Sequence, residues 1–367
     1  KMHTVYNMYY DYIEINKVTQ KTIVNSKIRS KIMNFLERFI KSDFVKSLSR
    51  SHIQKFYFYD FLSKYLPRWY INNLENVFEY DSDLYYFNAY DAINYFKYDY
   101  QVSAKFFTLK GGLSTIINEL IVKIKSNSNN CIMKNSSKVN NIYYNSDHSC
   151  YIINVNSNNS NNSNNSNNSN SLFAKNVICA TTGDVLKTFD VCKPFLKELN
   201  TINEINLMRI FEIYDNNHKQ ELWFSKINKT IVNNELQFVI PINSSSGLIM
   251  SSYNDCNNAK KWKKLYDSGK NHKDGIIKIR NKLNNLLNKA FSHLNVNIEY
   301  SKYIKMHYWK FGVACWKKNV DSDYVSEKLL NICPNFYICG ENYSKYQAWC
   351  EGALMVCEQV LEKIDCK

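Results

Sequence analysis

The chain has 367 residues, of which 45% are hydrophobic and 15% aromatic, so it can fill a sizeable core and wholesale disorder is excluded. At about 100–200 residues per domain, two or three lobes are expected. The net charge of +14 comes from 47 basic against 33 acidic residues. Only Arg29, Arg38, Arg50, Arg68, Arg209 and Arg280 are arginines, and the lysines are scattered rather than striped with aromatics. Direct nucleic-acid binding is therefore not expected, while a protein partner stays open.

Residues 25–50 place Ile28, Ile32, Phe35, Leu36, Phe39, Ile40, Val45 and Leu48 at helical spacing. Pro67 marks a helix boundary, with a second helix after it. The first hundred residues read as mainly helical, and they contain no glycine, so no phosphate-cradling glycine loop lies there. A short strand ending at Gly111-Gly112 leads into a helix with Leu113, Ile116, Ile117, Leu120, Ile121 and Ile124 on one stripe. Strands are expected around KVNNIYY and SCYIINV. Residues 156–171, NSNNSNNSNNSNNSNS, are a polar repeat that reads as a solvated loop. It interrupts a hairpin whose return is the strand-like VICA at 177–180. Further strands are expected at 204–215 and 236–241, an amphipathic helix at 274–294, a buried strand FYICG at 336–340, and a helix from about Ala348.

No apolar run reaches the length of about 18 residues that a membrane helix needs. Eleven cysteines, with no C-x-x-C pair, read as reduced, mostly buried thiols of an intracellular protein, and no metal site is expected from their spacing. No G-x-S-x-G, H-E-x-x-H or P-loop pattern is present. His307, beside Tyr308 and Trp309, reads as a structural histidine.

The closing segment YICGENYSKYQAWCEGALMVCEQVLEKI carries the most chemistry. A buried strand stops at Gly340, where glycine permits a sharp turn or the close approach of another group. Glu341 follows at once, and W-C-E-G-A then opens a helix with Gly352 in its first turn. A helix start offers free N–H groups, and a small residue there lets a flat or anionic group lie against the backbone. A plain strand–loop–helix unit, with Gly352 as a close packing contact, accounts for the same residues equally well.

This segment resembles the C-terminal flavin-binding signature of the flavin-dependent amine oxidases, in which G-E is followed by W-x-E-G-A-L. LPRWYINNLENVF (66–78), YDAINYF (90–96), FTLKGGLSTIINEL (107–120), KVNNIYY (138–144) and KNVICATTGDVLK (175–187) are similar, in the same order, to the polyamine oxidase and histone demethylase branch. The resemblance implies an α/β, two-lobed, FAD-binding fold. Residues 1–105 and 191–303 would build the substrate lobe, helical and mixed-sheet. Residues 106–190 and 304–367 would build a partial Rossmann-like flavin lobe. It implies FAD as cofactor, an amine as substrate and oxygen as co-substrate. By that resemblance Val139 meets the flavin adenine through its backbone. Gly340 and Glu341 lie beside the pyrophosphate and ribityl chain. Trp349, Cys350, Glu351, Gly352 and Ala353 meet the isoalloxazine ring. Arg209 stands where the family has a lysine that holds a water near flavin N5. Trp349 forms one wall of an aromatic cage, and Trp316 or alternatively Trp309 the other.

Four departures qualify this. The family's G-x-G-x-x-G loop is absent: either the first strand–loop–helix lies upstream of Lys1, as the Lys start favours, or cofactor binding has been lost. Arg209 replaces lysine, and it stays protonated and is bulkier. Thr182 stands where the family has proline. The stretch around Trp309 and Trp316 is shortened, and core packing accounts for Trp316 as well as a cage role does. Two other functions stay open. One is a protoporphyrinogen oxidase or desaturase-like flavoprotein; the other is a degenerate, non-catalytic flavoprotein acting as a scaffold.

Overall fold

The computed structural model describes residues 2–4, 11–15, 22–99, 107–109, 111–126, 131–157, 169–215 and 221–365. Several helices of the first hundred residues begin where short polar side chains or proline dictate. The Asn25 side chain caps Ser26–Ile40 by accepting from the Ile28 N–H, and Ser42 does the same for Asp43–Ser47 through Val45. Pro67 precedes Arg68–Val77, whose Tyr70, Ile71, Leu74 and Val77 face inward. Ser26–Ile40 buries Ile32, Leu36 and Ile40 one turn apart. Phe58 and Phe96, from Phe58–Tyr65 and Ala89–Asp99, stack with ring centroids 5.2 Å apart.

Three strands of this N-terminal region, Met2–Thr4, Asp11–Ile15 and Thr22–Val24, depart from the mainly helical expectation. The last two complete a seven-stranded mixed sheet. Its order is Tyr303–Trp316, Ile202–Ile213, Leu248–Asp255, Gln237–Asn243, Thr230–Val232, Asp11–Ile15 and Thr22–Val24. Only Thr230–Val232 and Asp11–Ile15 run parallel. Helices Cys256–Asp267 and His272–Ala290 cover one face, where Trp262, Ile279, Leu283 and Leu287 pack on Met208, Ile210 and Val239. Glu212 is buried on this sheet, and its carboxylate accepts from Ser251, Ser301 and Tyr214 hydroxyls. A buried carboxylate needs such partners.

A second sheet has three strands, in the order Asn331–Cys333, Phe336–Ile338 and Val177–Cys179, the last two parallel. A third is an antiparallel meander of Ser137–Asn145, Cys150–Ser157 and Ser169–Ala174. The hairpin around the Asn/Ser repeat is therefore closed by Ser169–Ala174, and Val177–Cys179 belongs to another sheet. The repeat also contributes to strands at both ends: Asn156 pairs with Lys138 and with Ser169, and Ser171 pairs with Asn154. Residues 158–168 of the predicted loop lie outside the described residues.

The largest core runs without a break from the N-terminal helices to Val177, Phe336, Trp316 and Tyr343. It thereby joins segments that the sequence assigns to different lobes. Helix Ser114–Ser126 has the predicted apolar stripe but buries none of it, and Leu113, Ile117 and Val122 are well exposed. The chain is thus a mixed α/β protein with mixed sheets. Among the described residues no helix is long and apolar enough to cross a membrane.

Candidate functional site

Val177–Cys179 and Phe336–Ile338 run parallel, so the segments that follow them leave from the same edge. The Cys339 N–H donates to the Cys179 carbonyl at 3.0 Å and extends the ladder by one residue. Gly340 then turns away at φ +126°, a conformation that L side chains rarely adopt. The two exits are tied by the Gly183 N–H, which donates to Asn342 Oδ1 at 3.1 Å.

Between them opens a cavity of about 420 Å³. Its walls are residues 180–183, residues 339–342, and Glu204 with Phe311, Gly312 and Val313 from the edge of the large sheet. The register there slips between Trp309 and Val313, and a side chain at Gly312 would strike Leu207. Crevices at the carboxyl ends of parallel strands are where open α/β sheets bind ligands, because successive loops converge there.

Two carboxylates line the cavity. Glu204 pairs with Lys187 at 3.2 Å. Burial pushes the Glu341 carboxyl up, opposed by hydrogen bonds from the Ala348 N–H and Asn342 Nδ2. The first of these, at 2.5 Å, spans the loop after Gly340 and fixes its far end. Gln347 Nε2 donates to the Asn342 carbonyl, and the Trp316 N–H donates to Gln347 Oε1. The Tyr343 carbonyl accepts from Ser326, and the Tyr343 hydroxyl donates to the Leu199 carbonyl. At about 1 kcal/mol each, these bonds tie the loop to the core along its length.

Among the sequence-derived candidates, the cavity collects Gly340 and Glu341. Val139 does not line it; its strand bulges between Val139 and Asn141, and Val139 pairs with Val155. Arg209 lies elsewhere on the large sheet, with its guanidinium over the Tyr253 ring at 4.5 Å and near Trp309 at 5.8 Å. His307 and Tyr253 are its cross-strand neighbours. Trp309 is 40% exposed, stacks on His307 and does not line the cavity. Trp316 is completely buried, its indole N–H donating to the Ser344 carbonyl. It serves as a core pillar under the loop instead of a cage wall. Trp349, Cys350 and Glu351 are exposed at the start of helix Cys350–Asp365, and Ala353 is half-buried.

Gly352 behaves differently from the expectation of a surface open to a cofactor. A Cβ there would collide with the Tyr346 carbonyl oxygen and Ser344 Oγ. The space is filled by the chain's own loop, so the packing explanation holds for this glycine. At Gly340, among the described residues and apart from its chain neighbours, no atom lies within 4 Å of the Cβ position.

Sequence reasoning missed Glu204, Lys187 and Asn342. Lys187 and Asn342 lie within the quoted segments KNVICATTGDVLK and YICGENY but had no role there, and only folding brings Glu204 beside them. Among the described residues no group of three His, Cys, Asp or Glu side chains is placed to hold a metal ion. Set against models of known protein families and against curated proteins, the chain matches none of them.

Proposed function

We propose that the chain is a flavin-dependent oxidoreductase of the amine oxidase type, with the two-lobed fold of that family. The observation that carries this reading is the turn Gly340-Glu341, which opens a ligand-sized cavity at the carboxyl ends of two parallel strands. The volume falls in the range of about 300–1,000 Å³ usual for small-molecule sites. By the resemblance, Gly340 and Glu341 lie beside the pyrophosphate and ribityl chain, so the cavity would take that stretch of FAD. The described residues offer no glycine-rich cradle for the phosphates, and Trp349, Cys350, Glu351, Gly352 and Ala353, which would meet the ring, do not line the cavity. A bound flavin would accept hydride from the carbon next to an amine nitrogen and pass the electrons to oxygen.

The chain's own residues orient and select. Glu204 and Glu341 make the cavity electronegative, which draws in a protonated amine. Lys187 holds the Glu204 carboxylate in place. The stapled loop excludes water from one side. Exposed Trp349 stands beyond the loop, where an aromatic ring can meet a substrate entering from solvent.

A second reading, a non-catalytic relative that serves as a scaffold, is favoured by Arg209. Its guanidinium is held over the Tyr253 ring and does not reach the cavity. A visible absorption spectrum of the purified protein separates the two. Resolved flavin bands, bleached under argon by added amine, are expected from the first reading. Folded, colourless protein that takes up no added FAD would sink it and leave the scaffold.

A further inference from the structure

A second cavity, of about 270 Å³, shares no lining residue with the one at Gly340. Three parts of the chain meet there. They are the end of helix Arg68–Val77 with the start of Asp81–Tyr85, the turn between strands Thr230–Val232 and Gln237–Asn243, and the first turns of helix Cys256–Asp267. Buried bonds hold these parts in place. The Asp255 carboxylate, itself fully buried, accepts from the Asp81 and Ser82 N–H groups at 3.2 and 2.9 Å and from Gln237 Nε2 at 3.3 Å. The turn is pinned by Asn233 Oδ1, which accepts from the Ile15 N–H, and by the Trp262 indole N–H, which donates to the Glu235 carbonyl.

Two carboxylates on the walls are matched. Glu235 pairs with Lys261 and Lys282, and Glu75 accepts from the Tyr85 hydroxyl. Two other groups are not. Among the described residues the Asp81 carboxylate accepts no hydrogen bond and joins no ion pair; Lys261 attracts it, while Asp255 and Glu75 repel it. Asn234 accepts from the Leu236 N–H through Oδ1, but its Nδ2 is covered and has no acceptor. A small rotation of that amide presents Nδ2 to the cavity that the residue lines. Leaving such a donor unmet costs free energy that a bound acceptor returns. The two unmatched groups are of opposite sense, one an anion and one a donor.

We propose that this cavity binds a small hydroxylated ammonium compound of amino-sugar size. The ammonium group lies against the Asp81 carboxylate, and a hydroxyl or ring oxygen accepts from Asn234 Nδ2. A simple amine would leave Asn234 unmatched, and a neutral sugar would leave Asp81 unmatched. Among the described residues no three carboxylates converge closely enough to hold a metal ion, which points to an organic cation. Buried Phe78, Ile231 and Val232 give the cavity an apolar side suited to the C–H groups of a ring. Asn76 and Asn258 also line it and offer further amide donors and acceptors.

The site stands apart from the flavin reading; colourless protein would sink that reading and leave this one testable. Binding of D-glucosamine to the full chain is measured by ligand-observed NMR titration near neutral pH, with D-glucose as the neutral probe. Glucosamine is expected to bind about tenfold or more tighter than glucose, and Asp81→Asn to weaken glucosamine by about tenfold or more while leaving glucose unchanged. Asn234→Ala is expected to weaken both sugars alike. Acidification gives a readout that a structural role would not move. Burial, and then the neighbouring Asp255, push the Asp81 carboxyl up to about 6, against Lys261 and with Glu75. One pH unit below that value, glucosamine affinity is expected to have fallen about tenfold as Asp81 takes up its proton, and to stay flat in Asp81→Asn. That variant removes a charge that Asp255 repels, so the fold is expected to hold, which circular dichroism checks. No glucosamine binding at about 50 mM, equal affinity for the two sugars, or equal glucosamine affinity in the parent and Asp81→Asn overturns the proposal.

Discussion

Gly340 and Gly352 bracket one loop and invite one inference from sequence, that glycine marks a backbone something must approach. In the fold they part. Gly340 has a left-handed φ and open space beyond it, whereas Gly352 is pressed against the Tyr346 carbonyl and Ser344. The first glycine is set by backbone conformation and faces the cavity. The second is set by self-packing and faces the chain's own loop. A glycine in a resembling motif therefore locates a crowded or twisted backbone, and only the surroundings say whether the neighbour is a ligand or the protein itself.

The sharpest way to break this contrast is Gly352→Ala. One methyl group meets a backbone carbonyl held by the loop's hydrogen bonds, so relief requires the loop to move. A loss of about 3 kcal/mol is expected, at the upper end for overpacking. Urea unfolding with an unchanged m-value reads it. A loss below about 1 kcal/mol would mean that the loop yields and that Gly352 is available to a ligand after all. Substitution by leucine gives no sharper test, because any side chain at Gly352 breaks the loop with or without flavin.

Gly340→Ala comes next. No atom of the described residues obstructs the methyl group, so the expected cost is backbone strain, about 1–3 kcal/mol. Under the proposed function its effect on flavin retention is nevertheless the greater of the two, for folded protein compared with folded protein. Equal flavin content in Gly340→Ala and the parent would remove Gly340 from the cofactor site. Trp349→Ala ranks below both. With 42% of Trp349 exposed, truncation is expected to cost about 1 kcal/mol of stability. Amine turnover is expected to fall much further than flavin content; equal losses of the two would mark Trp349 as packing.

Legibility followed the range of the interactions. The helix boundary at Pro67 was readable because proline acts over a few residues, whereas the breaks capped by Ser42 and Ser49 divide a stretch, 25–50, whose periodicity reads as one helix. The stripe of Ser114–Ser126 was readable as a helix, yet periodicity names no partner, and none of its residues is buried. Val177–Cys179 was readable as a strand. Its pairing with Phe336–Ile338 was not, since parallel partners join across long connections and leave no turn signal. Asp11–Ile15 and Thr22–Val24 went unread because strands this short, amid polar text, are fixed by the sheet they join. At the site, Gly340 and Glu341 were visible through their motif, whereas Glu204 is a carboxylate in a strand whose only distinction is where the strand ends up. Trp316 and Trp349 look alike in sequence; one is a core pillar and the other is on the surface, because burial is a property of the whole fold.

Glu341→Gln gives the smallest expected effect and the finest test of how the loop is held. Glutamine keeps an acceptor for the Ala348 N–H but turns its amide toward Asn342 Nδ2, losing one hydrogen bond. It also removes the cost of a charged carboxylate in a half-buried place, the main cause of the raised Glu341 pKa. The two changes oppose each other, and stability at neutral pH is expected to stay within about 0.5 kcal/mol of the parent. The pH dependence is more decisive. A carboxyl whose folded pKa lies above its unfolded value binds its proton more tightly when folded. Its stabilising contribution is therefore complete below the unfolded pKa and is lost as pH rises through the folded one. The parent should thus lose stability relative to Glu341→Gln as pH rises across that window, read from urea midpoints on the acid side of neutrality. If the parent gains instead, the bond from Ala348 outweighs burial. The loop is then closed by the Glu341 charge and would open on acidification.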